Sequence, residues 1–351
     1  MLEISESSPV LVTGANGYVA GWLVKRLLEQ GKTVHAAVRD PSNKEKTKYL
    51  EALAESSSGT LRFFKSDLLQ KGSYGEAMKG CELVFHTASP FVMSVGDPQK
   101  DLVEPAVAGT ENVLSQATAT ESVKRVVLTS SCASIYGDCS DLADTPNGVF
   151  TEEVWNTSSS LEHQPYSYSK TMAERKAWEM VKSQNKWDLV VINPSFVLGP
   201  AINPKASSTS LSIMKQFGDG TMKMGAPRFG VGVVDVRDVA EAHLTAGFKA
   251  EAQGRYITHA HDSNFYEIGK CLSDKYGDKY PCPKKAMPKW LVWAVGPFFD
   301  KSMTRAMVSK NVDWPFKADN SKSEKELGVN YRPLEPTLHE MFQQLIDHDI
   351  F

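Results

Sequence analysis

The segment Thr13-Gly14-Ala15-Asn16-Gly17-Tyr18-Val19-Ala20 constrains this chain more than any other. It follows an apolar run, Val10-Leu11-Val12, and opens a helical pattern with Val19, Leu23, Val24 and Leu27 on one face, stopped at Gly31. A strand, a tight turn and a helix are therefore expected in that order. Gly14 permits the turn, Gly17 lets the backbone approach a pyrophosphate at the helix N-terminus, and the small Ala20 lets the helix pack closely. A glycine triplet alone is weak evidence, but the flanking strand and helix supply the context such a motif needs.

The alternation continues. Short β-rich runs at Thr33 to Val38, Leu61 to Lys65, Leu83 to His86, Val126 to Thr129 and Leu189 to Ile192 are separated by helix-length segments. Parallel pairing requires such crossovers, so the fold class is α/β, a doubly wound parallel sheet with helices on both faces. Beyond residue 193 the rhythm breaks into Pro-, Gly-, Ser- and Lys-rich connections, and a smaller, irregular α+β C-terminal region is expected. Val231 to Phe248 reads as a strand and helix returning to the main sheet. The division is thus a dinucleotide-binding domain over residues 1–193, rejoined by 231–262, and a substrate-binding region over 194–230 and 263–351. The polar interval Asp138 to Pro165 is expected to be a long surface excursion serving a site.

Composition narrows the partners. With 39 basic and 42 acidic side chains, a net charge of −3 and no basic cluster among them, a nucleic-acid partner is not expected and a small molecule is. Five irregularly spaced cysteines argue against a disulfide framework. The acidic, polar start has neither a basic nor an apolar leader region, and the most apolar late stretch, Trp290 to Phe299, is too short to span a bilayer, so the cytoplasm is expected.

The end of the second strand discriminates cofactors: a carboxylate there accepts from a free ribose, and a cation pairs with a 2′-phosphate. The chain offers Arg39, 25 residues after Gly14, then Asp40-Pro41 and Lys44, Lys46 and Lys48. The planar guanidinium suits a phosphate and favours NADPH, with Lys46 as a second candidate. Asp40 is a competing ribose acceptor unless it shapes the turn before Pro41.

Further on, Tyr166 and Lys170 stand at i and i+4 in Pro165-Tyr166-Ser167-Tyr168-Ser169-Lys170, on one face of an expected helix, with Tyr168 on another. An ammonium near a phenol favours the phenolate, which makes tyrosine a usable proton donor and acceptor near neutral pH. The fifth strand ends in Thr129-Ser130-Ser131, where a hydroxyl can hold a carbonyl oxygen at the mouth of the crevice.

These features together resemble the short-chain dehydrogenase/reductase superfamily, and the GxxGxxA spacing with the late Tyr-x3-Lys resembles its extended, Rossmann-type branch. The chain is most similar to the dihydroflavonol reductase and aldehyde reductase group: Val38-Arg39-Asp40-Pro41, Phe85 to Pro90, the Thr-Ser-Ser run, Asn193 to Pro200 and Val236-Arg237-Asp238-Val239-Ala240 carry the likeness. The resemblance implies a catalytic Ser131, 35 residues before Tyr166, with Tyr166 as general acid and Lys170 as its partner on the ribose. It implies that Gly14, Asn16, Gly17, Tyr18 and Val19 form the pyrophosphate turn. Arg39 and Lys46 then meet the 2′-phosphate, Asp67 and Leu68 the adenine, Thr87, Ala88 and Ser89 the ribose-pyrophosphate side, and Pro194, Ser195 and Val197 the nicotinamide. Phe91, Tyr136 and Phe196, with Ser131, are the expected substrate-binding residues. The implied activity is reversible hydride transfer from NADPH to an aldehyde or ketone.

Departures limit that reading. Tyr136 stands where dihydroflavonol reductases place an asparagine, and the NWYCY signature of cinnamoyl-CoA reductases is missing before Tyr166, so neither activity is assigned. Ser134-Ile135-Tyr136-Gly137 is similar to nucleotide-sugar epimerases, which keeps an NAD-dependent epimerase or dehydratase as a rival, beside a non-catalytic NADP-binding sensor. No metal site is proposed, since His259 and His261 have no third ligand nearby. Cys132 reads as a small buried residue and Asp238 as a helix N-cap. The aromatic stretch Met287 to Phe299 is expected to be core or lid in preference to a surface role. A monomer or homodimer is expected.

Overall fold

The computed structural model describes residues 3–90, 95–299 and 302–351. Phe91, expected at the substrate, lies outside the described residues. The first half alternates as β1 (Val10–Thr13), α1 (Tyr18–Glu29), β2 (Thr33–Val38), α2 (Lys44–Glu55), β3 (Thr60–Lys65), α3 (Gly75–Met78), β4 (Leu83–His86), α4 (Glu104–Ala119), β5 (Arg125–Thr129), α5 (Pro165–Lys182) and β6 (Asp188–Pro194). After it come β7 (Phe196–Leu198), α6 (Thr209–Gly218), β8 (Ala226–Pro227), β9 (Gly230–Asp235), α7 (Val236–Phe248), β10 (Gly254–Thr258), β11 (His261–Asn264) and α8 (Phe265–Tyr276). The chain ends with β12 (Ala286–Met287), α9 (Lys289–Phe299), α10 (Arg305–Asn311), α11 (Ser321–Leu327) and α12 (Leu334–Asp347).

Seven parallel strands form the main sheet in the order β10-β6-β5-β4-β1-β2-β3. The apolar runs read from the sequence are β1 to β6, of which all but the edge strand β3 are inner strands; Val10, Leu11 and Val12 are fully buried, as both-face coverage of a parallel sheet demands. The winding reverses between β1 and β4, and a crevice opens there at the carboxyl ends of the strands. One face is covered by α1 and α7 through Leu23, Val24, Leu27, Ala240 and Leu244, the other by α4 and α5 through Val113, Leu114 and Ala177. Truncating a buried leucine such as Leu27 to alanine would cost about 2–5 kcal/mol. Arg125, buried in β5, holds the turn after α7 by donating to the carbonyls of Ala246, Lys249, Ala250 and Ala252 while its guanidinium faces Asp188.

Three expectations about the backbone course change. The strand Gly230–Asp235 does not join the main sheet; it pairs with β7 and β11 in a separate three-stranded sheet, and the return is made by α7 and β10. The N-cap of α7 is Asp235, which accepts from Arg237 N–H at 2.8 Å, whereas Asp238 sits inside the first turn, buried and ion-paired with Arg332. The interval 138–165 is anchored rather than draped over the surface. Asp138 is fully buried and accepts from His163 Nε2 (2.6 Å) and Asn311 Nδ2 (2.7 Å), while Phe150 packs with Ile135, Ile257 and Phe316.

The C-terminal region has its own core from α6, α8 and α12, including Met214, Phe217, Ile268, Leu272 and Phe342. It meets the sheet along a seam at α1. Tyr18 Oη donates to the Gly199 carbonyl (2.6 Å), Trp22 Nε1 donates to the Pro200 carbonyl (2.7 Å), and a Cβ on Gly21 would lie 3.3 Å from Ile202. In α9, Val292 is buried, but Trp290, Trp293 and Phe298 are exposed, so the expectation of a core segment fails for those three side chains.

Candidate active site

The crevice floor is built by glycine and by threonine. Gly14 adopts φ +62°, and a Cβ there would meet the Ala88 Cα at 3.1 Å, so glycine serves both the turn and the close approach of β1 and β4 exits. Thr13 ties the two exits together: its Oγ1 bonds His86 Nδ1 (3.0 Å) and accepts from Ala88 N–H (3.0 Å), and its carbonyl accepts from Thr87 Oγ1. Burial, assisted by the nearby Lys170 ammonium, pushes His86 down to about 3 and keeps it neutral.

The same place fits a dinucleotide phosphate. Gly17 is the N-cap of α1, no side chain caps that helix, and no acidic residue stands in its first turn, which leaves N–H groups and the positive dipole end for an anion. Asn16, Tyr18 and Val19 are half-buried around it. The Tyr18 hydroxyl is engaged with Gly199, so the ring and main chain remain for a ligand.

At the β2 exit Arg39 is exposed and pairs with no acid among the described residues, while Asp40 Oδ1 accepts from Ser42 N–H (3.0 Å) and Oγ (2.6 Å). Asp40 thus shapes the turn, and that bonding also holds its carboxyl below the usual range. Of the three lysines that follow, Lys44 pairs with Glu51 and Lys48 with Glu45; Lys46 has no acidic partner among the described residues. Two cations are therefore left for a 2′-phosphate. Asp67 is exposed beside them in sequence order at the β3 exit, its Oδ1 accepting from Leu69 N–H (2.9 Å), and Leu68 packs over Gly109.

Helix α5 starts abruptly. Gln164 takes a left-handed conformation (φ 55°) and Pro165 occupies the first turn, which ends the anchored interval and begins the helix within two residues. Tyr166 is 54% exposed, and its hydroxyl has no partner among the described residues. Lys170 reaches across the crevice to Ser89 Oγ at 3.0 Å and lies 5.8 Å from the Tyr166 ring centre. A small cavity beneath Lys170 is lined by His86, Ser89, Thr129, Ser130 and Glu174.

The two serines have different fates. Ser130 is buried and donates to Glu174 Oε2 at 2.5 Å. Ser131 is half-buried, caps a short 3-10 turn by accepting from Ala133 N–H (3.1 Å), and spends no donor on Glu174. Its hydroxyl proton remains available to a ligand.

Glu174 itself was not singled out from the sequence. It lies one turn beyond Lys170, on the stripe of Tyr166 and Lys170, and is 1% exposed. Its carboxylate accepts from Ser130 and Ser134 Oγ (2.5 Å each), Asn193 Nδ2 (2.8 Å) and Trp178 Nε1 (3.2 Å), and lies 2.7 Å from Arg255 Nε. Arg255 in turn donates to the carbonyls of Glu152 and Val154 and stacks 4.1 Å over Trp155. The only signal in the sequence was an acid eight residues after Tyr166, which reads equally well as a solvated helix face.

On the substrate side Tyr136 stacks on Phe150 (4.7 Å) and meets Phe316 edge-on, so it belongs to an aromatic cluster under the site. Phe196 and Val197 are half-buried in β7, Phe196 against Phe265 (6.2 Å). Pro194 ends β6, and the exits of β6 and β10 carry four buried polar atoms without a partner among the described residues: Asn193 Oδ1, Ser195 Oγ, Thr258 Oγ1 and His259 Nδ1. Such atoms await a ligand or water. His259 and His261 do not converge: one bonds Asp262, the other the Arg332 carbonyl. Cys132 is buried, donates to the Asn193 carbonyl, and burial pushes its thiol well up.

A doubly wound sheet with this turn at β1, this helix at β5–β6 and a separate C-terminal region defines an extended short-chain dehydrogenase/reductase. The pattern of the NAD dependent epimerase/dehydratase family matches residues 10–258, and the chain belongs to that family. Among relatives, it is 36% identical over 96% of its length to a Medicago truncatula cinnamoyl-CoA reductase (95% of that protein), and 34% identical over 79% of its length to a Gerbera hybrida dihydroflavonol 4-reductase (75% of that protein). Among solved structures it is similar to Gre2 of Candida albicans in complex with NADPH, at 27% identity and a TM-score of 0.77 over 97% of this chain and 99% of that one. A yeast methylglyoxal/isovaleraldehyde reductase Gre2, complexed with NADPH, gives 27% identity and a TM-score of 0.76 over the same shares. No helix among the described residues is long and apolar enough to cross a membrane.

Proposed function

We propose that this chain is an NADPH-dependent carbonyl reductase in which Tyr166 is the general acid, Ser131 holds the carbonyl oxygen and Lys170 is the charged partner of both tyrosine and ribose. Its kinship to named reductases and to NADPH-bound structures makes it an NADP-dependent oxidoreductase. The observation that carries the finer reading is the contrast on one helix stripe: Glu174 is saturated with donors, whereas the Tyr166 hydroxyl is exposed and uncommitted above it.

When bound, the reduced nicotinamide supplies hydride to the carbonyl carbon. Tyr166 delivers its hydroxyl proton to the carbonyl oxygen as negative charge builds there. Ser131 donates a hydrogen bond to the same oxygen and orients it. The Lys170 ammonium, near the ring and bridging to Ser89, stabilises the phenolate that proton transfer leaves behind. Run in reverse, the same groups take the proton of an alcohol. Arg39 and Lys46 select the 2′-phosphate. Gly14, Gly17 and the uncapped start of α1 receive the pyrophosphate, and the partnerless Ser195 Oγ lies on the segment assigned to the nicotinamide.

The substrate class is an aldehyde or ketone, and an aromatic aldehyde with NADPH is the assay of choice. Tyr166→Phe should lower kcat by about 10²–10⁴-fold while NADPH binding, followed by fluorescence, stays within about threefold. Turnover preserved in that variant would refute the assignment. Arg39 weighs against the epimerase reading; interconversion of a nucleotide sugar without net NADPH consumption would favour that reading instead.

A further inference from the structure

We infer that the corner of the C-terminal region built around α9 docks on an anionic lipid surface. The sequence of α9, Lys-Trp-Leu-Val-Trp-Ala-Val-Gly-Pro-Phe-Phe, holds one charge. At about 100° per residue, Val292 and Gly296 share one side of the helix, and Trp290, Trp293 and Phe298 occupy the opposite arc. The first side is used: Val292 packs with Val308 and Val312, and a Cβ on Gly296 would lie 2.9 Å from Met303 Sδ. The opposite side carries no apolar packing among the described residues; only the Arg305 guanidinium lies over the Trp293 ring. Trp290 is 70% exposed, Phe298 84% and Trp293 42%.

Neighbouring elements extend the patch. The Ser309 carbonyl accepts from both Lys289 Nζ (2.8 Å) and Trp314 Nε1 (3.0 Å), which sets the exposed Trp314 beside the start of α9. Pairing of β8 with β12 brings the loop carrying exposed Met224 next to Lys285 and Met287. Five of the eight large apolar side chains exposed among the described residues, Met224, Trp290, Trp293, Phe298 and Trp314, thus gather at one corner. A soluble surface scatters such residues singly; a cluster marks a contact.

Charge selects the partner. Among described residues 284–317 the cations are Lys284, Lys285, Lys289, Arg305, Lys310 and Lys317, and Asp313 is the sole anion, in a chain whose net charge is −3. Lys310 shares its ammonium with Asp138 (3.3 Å), and Arg305 lies 4.6 Å over the Trp293 ring. Tryptophan with lysine and arginine at its edge is the composition of the membrane–water boundary, where the indole enters the headgroup level and the cations meet lipid phosphate. A symmetric contact with a second copy would instead bring the same cations onto one another. The helix is too short to span, so it lies in the surface plane.

The test is co-sedimentation of the full chain with vesicles of phosphatidylcholine alone or with about 30 mol % phosphatidylserine. Binding is expected only to the anionic vesicles, lost at about 0.5 M NaCl. It should weaken about tenfold or more in Trp290→Ser/Phe298→Ser and in Lys284→Glu/Lys285→Glu, with reductase kcat/KM on a soluble aldehyde unchanged. Absent or headgroup-independent sedimentation overturns the inference. So does a solution dimer that Trp290→Ser/Phe298→Ser converts to monomer, which assigns the face to a second copy. A several-fold rise in KM in that variant without vesicles also overturns it, since the face would then be a lid.

Discussion

Removing the Glu174 carboxylate tests whether the buried network under α5 sets the catalytic geometry. Five donors converge on it: two serine hydroxyls, the Asn193 amide, the Trp178 indole and the Arg255 guanidinium. Glu174→Ala strands all of them and leaves Arg255, 6% exposed, without its counter-charge. Breaking a buried pair from one side costs about 3–5 kcal/mol. The hydrogen bonds are part of that sum and do not add to it in full, because they share one acceptor. Glu174→Gln should do little better, since the new amide group meets donors on every side. At a urea slope of about 3 kcal/mol per molar, the unfolding midpoint falls by about 1–1.7 M. The arginine then becomes the liability: Arg255→Met in the Glu174→Ala background should recover about 1–3 kcal/mol, a coupling that independent sites would not give. Because Ser130, Ser134 and Asn193 hold the strand ends beside Ser131, kcat should drop more than KM rises in the folded fraction of Glu174→Gln. A midpoint shift below about 0.3 M, or strictly additive losses in the double variant, would refute the argument.

Arg39→Ala should raise KM for NADPH by at least about tenfold and leave NADH nearly unchanged, read in parallel titrations; equal losses would defeat the 2′-phosphate assignment. Ser131→Ala should lower kcat by about 10–100-fold with the urea midpoint retained, whereas Ser130→Ala, which removes a buried donor to Glu174, should lower the midpoint and reduce kcat by much less. Burial holds His86 at about 3 and His243 at about 4, below the ordinary value near 6.5, so between these values the unfolded chain binds more protons than the folded one. Their contribution is complete above pH about 6.5 and is lost as the pH falls, by about 2 kcal/mol for each at pH 5. Urea midpoints measured at pH 7.5 and 5 should show this fall, and His243→Gln should make it shallower; an equal fall in that variant would exclude His243 as a source.

The strand-turn-helix at Gly14 was legible because it is local: an apolar run, a turn residue and an amphipathic stripe lie within twenty residues, and each is a property of chain geometry. The same holds for β2 to β6: β2 and β4 keep the expected limits, and β3, β5 and β6 extend them by one or two residues. What a run of valines does not disclose is which sheet receives it, and Gly230–Asp235 accordingly went to the smaller one. Asp235 and Asp238 are both chemically suitable caps, and only the backbone decides between them. Glu174 was illegible for a related reason. A charged residue on a helix is ordinarily solvated, and its burial depends on Arg255, 81 positions away in sequence. The exposure of Trp290 and Phe298 runs the other way: hydrophobicity argues for burial, and the tertiary arrangement covers only the opposite side of the helix.

The seam between α1 and the segment Gly199–Ile202 has a mechanical consequence. Helix α1, whose first turn is the proposed pyrophosphate site, is bolted by Tyr18 and Trp22 to the carbonyls where the chain leaves β7 for the C-terminal region. A hinge placed there would have to break both bolts, so α1 and the Gly199–Ile202 segment travel as one rigid block, and under the proposed function any opening for substrate exchange would be supplied by the elements farther along the chain.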